Sequence, residues 1–106
     1  MVSSVYINPA PVLLKVAATT IFTATKDTVL TLRVPNNDSS NRKLNLWKHT
    51  AVAASDVKRM IGKDTEIPPG SWLQMTIYLI SGMILFATVD VDDKLTAIVE
   101  GIETTP

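Results

Sequence analysis

Eighteen consecutive residues, 72–89 (WLQMTIYLISGMILFATV), carry no charge. An uncharged run of this length is either a membrane-crossing helix or a pair of sheet strands, because about 18 apolar residues is the lower limit for spanning a bilayer. Lys58, Arg59 and Lys63 precede the run, while Asp90, Asp92 and Asp93 follow it, an arrangement that suits the positive-inside rule. Its internal pattern decides for strands. Leu73, Met75, Ile77 and Leu79 alternate with Trp72, Gln74, Thr76 and Tyr78, and a period of two puts each set on its own face of a half-buried strand. Ser81-Gly82 is a turn signal, and Ile84–Val91 then reads as a second strand. The run is expected to be a hairpin.

The same alternation recurs along the chain. In TVLTLRV (28–34), Leu30, Leu32 and Val34 share one face, with Val29, Thr31 and Arg33 on the other. In KLNLWKH (43–49), Leu44 and Leu46 point inward, and Lys43, Asn45, Trp47 and His49 point outward. Short strands are also expected over Val12–Ala18, Thr20–Thr25 and Leu95–Ile102. Turns fall at Lys26-Asp27, at Pro68-Pro69-Gly70 and at Asp92-Asp93-Lys94. Pro35 ends its strand because it cannot donate to a ladder. The seven polar residues 36–42 (NNDSSNR) read as an exposed loop, and the tail GIETTP as a frayed end.

Residues 1–11 hold Pro9 and Pro11 beside Val5-Tyr6-Ile7 and predict an extended N-terminal arm. Residues 12–106 then form a single domain. Between Thr50 and Lys63 the preferred reading is a loop followed by a strand over Val57–Ile61, with a short helix near 55–62 as the alternative. Seven to eight strands at regular spacing, with no long helix between them, predict an all-β fold. The architecture expected is an antiparallel β-sandwich, or one resembling a jelly roll.

Composition narrows the chemistry. The 106 residues include no cysteine and one histidine, which excludes disulfides, thiolate metal sites, cysteine nucleophiles and multi-histidine zinc sites. Ten Lys and Arg balance ten Asp and Glu, so the general charge footprint of a nucleic-acid binder is missing. The start, MVSSVYINPAPVLLKV, has neither a basic stretch nor a long apolar core and does not read as a signal peptide. His49 has no nucleophile to serve. Asp90, Asp92 and Asp93 suggest a calcium loop but lack its glycine and bidentate glutamate, and they read more simply as an acidic turn. Gly62, Gly70, Gly82 and Gly101 are isolated, so no phosphate loop is present. No enzyme, cofactor, metal or small-molecule substrate is expected.

Two stretches carry a resemblance. KVAATTIFTATKDTVLTLRVPNNDSS resembles the opening of small bacteriophage virion proteins of the β-sandwich type, with their threonine–aromatic–threonine–alanine strand and Asn-rich turn. IPPGSWLQM is similar to their strand entry, and SGMILFATVDVDDKLTAIVEGIE to their terminal hairpin closing on Gly101-Ile102-Glu103. Met83, where such proteins often carry Asp, and the long segment VAASDVKRMIGKDT depart from the pattern.

The resemblance implies a non-enzymatic virion protein, assembled in the host cytoplasm. The first expectation is a capsid decoration (cement) protein that stabilises the shell by binding between major capsid protein subunits. A small tail or neck protein is the alternative within that class. An OB-like single-stranded nucleic-acid-binding module is the alternative from another class, drawn from Trp47, Trp72 and Tyr78 with the basic doublets Arg42-Lys43 and Lys58-Arg59. Partner contacts and homo-oligomerisation are expected through Val5, Tyr6 and Ile7 of the arm, and through Trp47, Trp72, Tyr78, Ile84 and Phe86. Both faces of the strand holding Ile84 and Phe86 are apolar, so its outer face requires cover from a neighbour or from the long 50–63 loop.

Overall fold

Each alternating segment forms a strand. The computed structural model describes residues 3–52 and 58–105. Nine strands follow in order: β1 (Ser3–Ile7), β2 (Val12–Leu13), β3 (Thr19–Thr23), β4 (Asp27–Pro35), β5 (Arg42–His49), β6 (Thr65–Ile67), β7 (Trp72–Leu79), β8 (Ile84–Val89) and β9 (Thr96–Thr105). All pairings between strands are antiparallel. The first sheet runs β1-β9-β4-β7, with β2 also paired to β9, and the second runs β3-β8-β5-β6. The two sheets pack face to face as a β-sandwich. The uncharged run is two strands, β7 and β8, but the expected hairpin is corrected: the Ser81-Gly82 turn carries the chain from the first sheet to the second. Thus β7 pairs with β4 and β8 with β3 and β5, and β8 likewise does not pair with β9. Among the described residues no helix is long and apolar enough to cross a membrane.

The core is what the alternation specifies. Leu30, Leu32 and Val34 of β4, Ile77 and Leu79 of β7, and Ala97 and Val99 of β9 meet Leu44 and Leu46 of β5 and Leu85, Ala87 and Val89 of β8. Two type II turns position these strands. Ser71 N–H donates to the Pro68 carbonyl (3.1 Å) and Met83 N–H to the Ile80 carbonyl (3.0 Å). Gly70 and Gly82, at the third turn positions, carry φ of 75° and 93°, the left-handed geometry that this turn demands of glycine.

The chain departs from its sequence reading in four further places. The tail does not fray: β9 continues to Thr105 and lies between β1 and β4 as a central strand, because Val29 pairs with Ile102 and Asp27 with Thr104. The strand expected over Val12–Ala18 shrinks to two residues, Val12 and Leu13, against Ala97 and Thr96. The polar 36–42 stretch is not wholly exposed, since Asn36 is completely buried. Around 55–62, residues 55–57 lie outside those described. Among the described residues 58–62 neither the expected strand nor the alternative helix forms: Arg59 makes only an isolated antiparallel bridge to Trp47, and Met60 N–H donates to the Leu46 carbonyl (2.8 Å). The arm is extended as expected, and it adds its strand to β9 of the same chain, with Tyr6 opposite Ile102.

Two residues fix the arrangement sterically and by hydrogen bonding. A Cβ at Gly101 would lie 2.0 Å from the Val29 carbonyl oxygen and 3.0 Å from Leu30 Cα, so β9 and β4 approach too closely for any side chain. Asn36 donates through Nδ2 to the carbonyls of Ser40 (2.9 Å) and Ile67 (2.8 Å), and its Oδ1 accepts from Asp38 N–H (2.9 Å). Its own N–H donates to Ser71 O, and its carbonyl accepts from Gly70 N–H, both at 2.9 Å. Replacing it leaves buried partners unmet, at about 1–3 kcal/mol for each group that water cannot reach. Asn36→Ala is expected to lower stability by about 2–4 kcal/mol, while the exposed neighbour Asn37→Ala changes it by less than about 0.5 kcal/mol. Gly101→Ala is expected to cost more than about 3 kcal/mol, because backbone rather than a side-chain tip must yield. Urea unfolding midpoints of the three variants check all three statements.

Candidate docking face on the first sheet

A sandwich buries one face of each sheet and leaves two outer faces, and here they differ. On the second sheet, Trp47 of β5 and Phe86 of β8 are paired neighbours whose rings stack at 5.4 Å with planes 13° apart. The Arg59 guanidinium lies 4.9 Å from the Trp47 ring centre. Trp47 is only 3% exposed and Phe86 is fully buried. The parity reading of Trp47 as outward is right. Of the two covers expected for this outer face, a neighbour or the 50–63 loop, the structure has the loop's Arg59 over Trp47, so Trp47 and Phe86 do not stand exposed as partner contacts. Asn45 holds the covering connection in place. Its Oδ1 accepts from Arg59 and from Asp64 N–H (2.9 Å), and its Nδ2 donates to Asp64 Oδ1 (2.9 Å). Ile84, opposite His49 in β5, is half-buried.

The first sheet is open. The register places Tyr6, Ile102, Val29 and Tyr78 side by side across β1, β9, β4 and β7. All four are exposed, from 43% for Val29 to 63% for Tyr6. With strands about 4.8 Å apart, they form an apolar row about 14 Å wide. Glu100, Thr31 and Thr76 make the adjacent row, then Ile98, Arg33 and Gln74, then Pro35 and Trp72. Of the large apolar side chains that stand exposed, Tyr6, Val29, Trp72, Tyr78, Ile98 and Ile102 all lie on this face.

Polar contacts orient the aromatic ones. The Tyr6 hydroxyl donates to Glu100 Oε2 at 2.7 Å, and the Arg33 guanidinium sits 5.1 Å from the Trp72 ring centre, a cation–π distance. Between them lies a shallow depression of about 240 Å³ lined by Thr31, Arg33, Gln74, Ile98 and Glu100. Similar depressions of about 250 and 230 Å³ occur beside Asp38 and Asp27. All three are smaller than the roughly 300–1,000 Å³ of small-molecule sites.

The sequence-singled residues are thus divided. Tyr6, Trp72 and Tyr78 come together on the open face, while Trp47, Ile84 and Phe86 belong to the other sheet. Val5 is exposed opposite Glu103 on the arm, and Ile7 packs against the core. Val29, Ile98 and Ile102 were not singled out. The alternation already placed Val29 with Thr31 and Arg33, but only the pairing of β9 shows that Ile98 and Ile102 share that face.

The acidic turn is taken up by the protein itself. Asp90 Oδ1 accepts from Lys43 N–H (3.2 Å) and its Oδ2 faces Arg42 (3.5 Å). Asp92 accepts from Val16 N–H (2.7 Å), and Asp93 pairs with Lys15. Arg42 also binds Asp38 at 2.7 Å, which holds the Asp38 carboxyl below the usual carboxylate range. Among the described residues no three His, Asp or Glu side chains gather as metal ligands. His49 Nδ1 accepts from Thr50 N–H at 2.7 Å. No family model matches this chain, and no curated protein or solved structure matches it either.

The Tyr6–Glu100 bond gives the open face a pH signature. Donation to the carboxylate is the first cause that raises the Tyr6 phenol above its ordinary value near 10, with burial and the Glu100 charge adding to it. The folded value is above the unfolded one, so the contribution to stability is complete below about pH 10 and is lost as pH rises through the raised value. Ultraviolet titration of tyrosinate is expected to show a late component that Tyr6→Phe removes. Glu100→Gln is expected to bring that component to lower pH.

Proposed function

We propose that this chain is a non-enzymatic structural subunit that docks on other proteins through the outer face of its first sheet. The observation that carries this reading is the exposed row Tyr6–Ile102–Val29–Tyr78, which crosses all four strands and is flanked by Trp72 and Ile98. Interface centres are enriched in Tyr, Trp and Arg in this way, with few charges. Arg33 and Glu100 are the charged groups among these rows, and they are of opposite sign.

The resemblance of residues 15–40, 67–75 and 81–103 to small phage virion proteins supplies the setting. In that setting the chain is a capsid decoration protein and its partner is the major capsid protein. A decoration subunit needs only a modest contact, because the shell presents the same contact many times and multivalency makes the sum strong. A flat, rigid, partly apolar sheet face suits such a contact, since little order has to be imposed on binding.

The test is the copy number of this chain in purified particles, measured by quantitative mass spectrometry against the major shell protein. A simple ratio to the shell subunit is expected. A few copies per particle would make it a tail or neck component, and absence from particles would overturn the virion reading. On particles that carry it, Ile102→Glu is expected to weaken attachment at least tenfold, as for a central interface residue. The unfolding midpoint should shift little, because the side chain is 48% exposed in the free chain.

A further inference from the structure

The two sheets have four edges, and three of them are guarded. One edge of the first sheet is divided between short β1 and two-residue β2, with Pro9 and Pro11 between them. In the second sheet, β3 is irregular between Thr20 and Phe22, and β6 is three residues long and carries Glu66. Short strands, prolines, bulges and charges are the usual means of preventing strands from pairing with other chains. The fourth edge, β7, has none in its own sequence, and a single side chain, Lys48, reaches one of its outward carbonyls. It is eight residues long and contains no charge, proline or glycine, and among the described residues no strand pairs with its outer side.

The direction of its backbone groups follows from Pro35. Proline has no N–H, so the pairing of Pro35 with Trp72 is of the non-hydrogen-bonded kind. The next pair confirms the phase, because Asn36 N–H donates to Ser71 O. The register from there to Leu79 is unbroken. Alternation therefore turns the N–H and C=O of Leu73, Met75 and Ile77 toward β4, and those of Trp72, Gln74, Thr76 and Tyr78 outward. The Tyr78 carbonyl receives Lys48 Nζ at 2.8 Å, which agrees with this assignment and leaves that oxygen a second lone pair.

We propose that β7 pairs with β7 of a second copy of this chain, antiparallel about a two-fold axis through Met75. The strand is complementary to itself in this register. Trp72 faces Tyr78 of the other copy and Gln74 faces Thr76, in hydrogen-bonded pairs that repeat by symmetry. Leu73 faces Ile77 and Met75 faces Met75. Aromatic pairs at both ends and polar pairs in the middle are favourable cross-strand neighbours. Self-pairing sets identical strands against each other, so a charge-free strand avoids like-charge cost at every position. The product is one continuous sheet of eight main strands, with both docking faces on the same side. The row through Tyr78 then continues onto Trp72 of the second copy. This isologous contact closes on itself and does not propagate. It does not rest on the virion reading, since it concerns the purified chain alone.

Sedimentation of the purified chain over a range of concentrations is expected to show a monomer–dimer equilibrium. In the double variant Gln74→Lys with Thr76→Lys, lysine faces lysine across the axis, and dimerisation should weaken at least tenfold. The variant Gln74→Glu with Thr76→Glu should behave alike, and mixing the two should restore a heterodimer. All four substitutions lie on exposed positions, so the fold tolerates them. Because the chain has no cysteine, Met75→Cys supplies a direct probe of register. Facing residues of a non-hydrogen-bonded pair lie about 4.5 Å apart at Cα, within disulfide reach, so mild oxidation should give a covalent dimer. A chain that stays monomeric at every concentration overturns the proposal. So does a dimer that is indifferent to the paired charges, or one that fails to cross-link through Cys at 75.

Discussion

The arrangement depends on one buried carboxamide. Asn36 is fully enclosed, and five hydrogen bonds join its side chain and backbone to Ser40, Ile67, Asp38, Ser71 and Gly70. Those partners belong to the loop that carries the chain from the first sheet to the second, to the end of β6, and to the turn that starts β7. A core asparagine without partners would be costly. With all of them it acts as a specifying contact, because no shifted register satisfies the same groups. Among the described residues no buried side-chain nitrogen or oxygen lacks a partner.

That contact also sets which side of β7 faces water. The bond from Asn36 N–H to Ser71 O and the absence of an N–H on Pro35 together fix the phase of the β4–β7 ladder. A slip of one residue would send Trp72, Gln74, Thr76 and Tyr78 into the core and Leu73, Met75 and Ile77 into solvent. The open face and the outward backbone groups of the β7 edge are thus consequences of a polar contact at the far end of the strand. Gly101 does the corresponding work for β9. Only a residue without Cβ lets β9 close on β4, and this closure brings Ile98 and Ile102 beside Arg33 and Val29.

What the sequence reveals is what local periodicity encodes. The alternations in 28–34, 43–49 and 72–79 give the strands, their inner faces and the sandwich class, because a half-buried strand must repeat every two residues. Contacts between distant segments leave no such trace. The exposure of Trp47 and Phe86 could not be judged from parity, since their cover includes Arg59, which follows β5 along a connection of irregular pattern. The tail GIETTP reads as an end because it is polar and terminal, yet its backbone lies between two other strands. Asn36 reads as one of seven polar loop residues, and only its partners distinguish it from Asn37. The open face was legible in part: Trp72 and Tyr78 are conspicuous on the polar side of their alternating strand and Tyr6 in the proline-bounded arm, whereas Val29, Ile98 and Ile102 become neighbours only through strand order.

The contrast between the outer faces bears on how such a subunit works. On the second sheet, stacking of Trp47 on Phe86 beneath Arg59 consumes the aromatic surface within the chain. On the first sheet, Arg33 against Trp72 and Glu100 against Tyr6 hold the large side chains in place without covering them. Aromatic side chains have few rotatable bonds, and these contacts reduce the freedom that remains, so the entropy lost on docking is small. The same two charged residues impose direction. A partner that covers the apolar row must also meet an anion and a cation beyond one side of it, because Glu100 of β9 and Arg33 of β4 are diagonal neighbours in the next two rows. A purely apolar surface would strip both of water, a cost that their contacts with Tyr6 and Trp72 offset only in part. In the docking role proposed for this face, a partner with the opposite order of charges is therefore favoured, and the apolar row supplies the adhesion once that order is met.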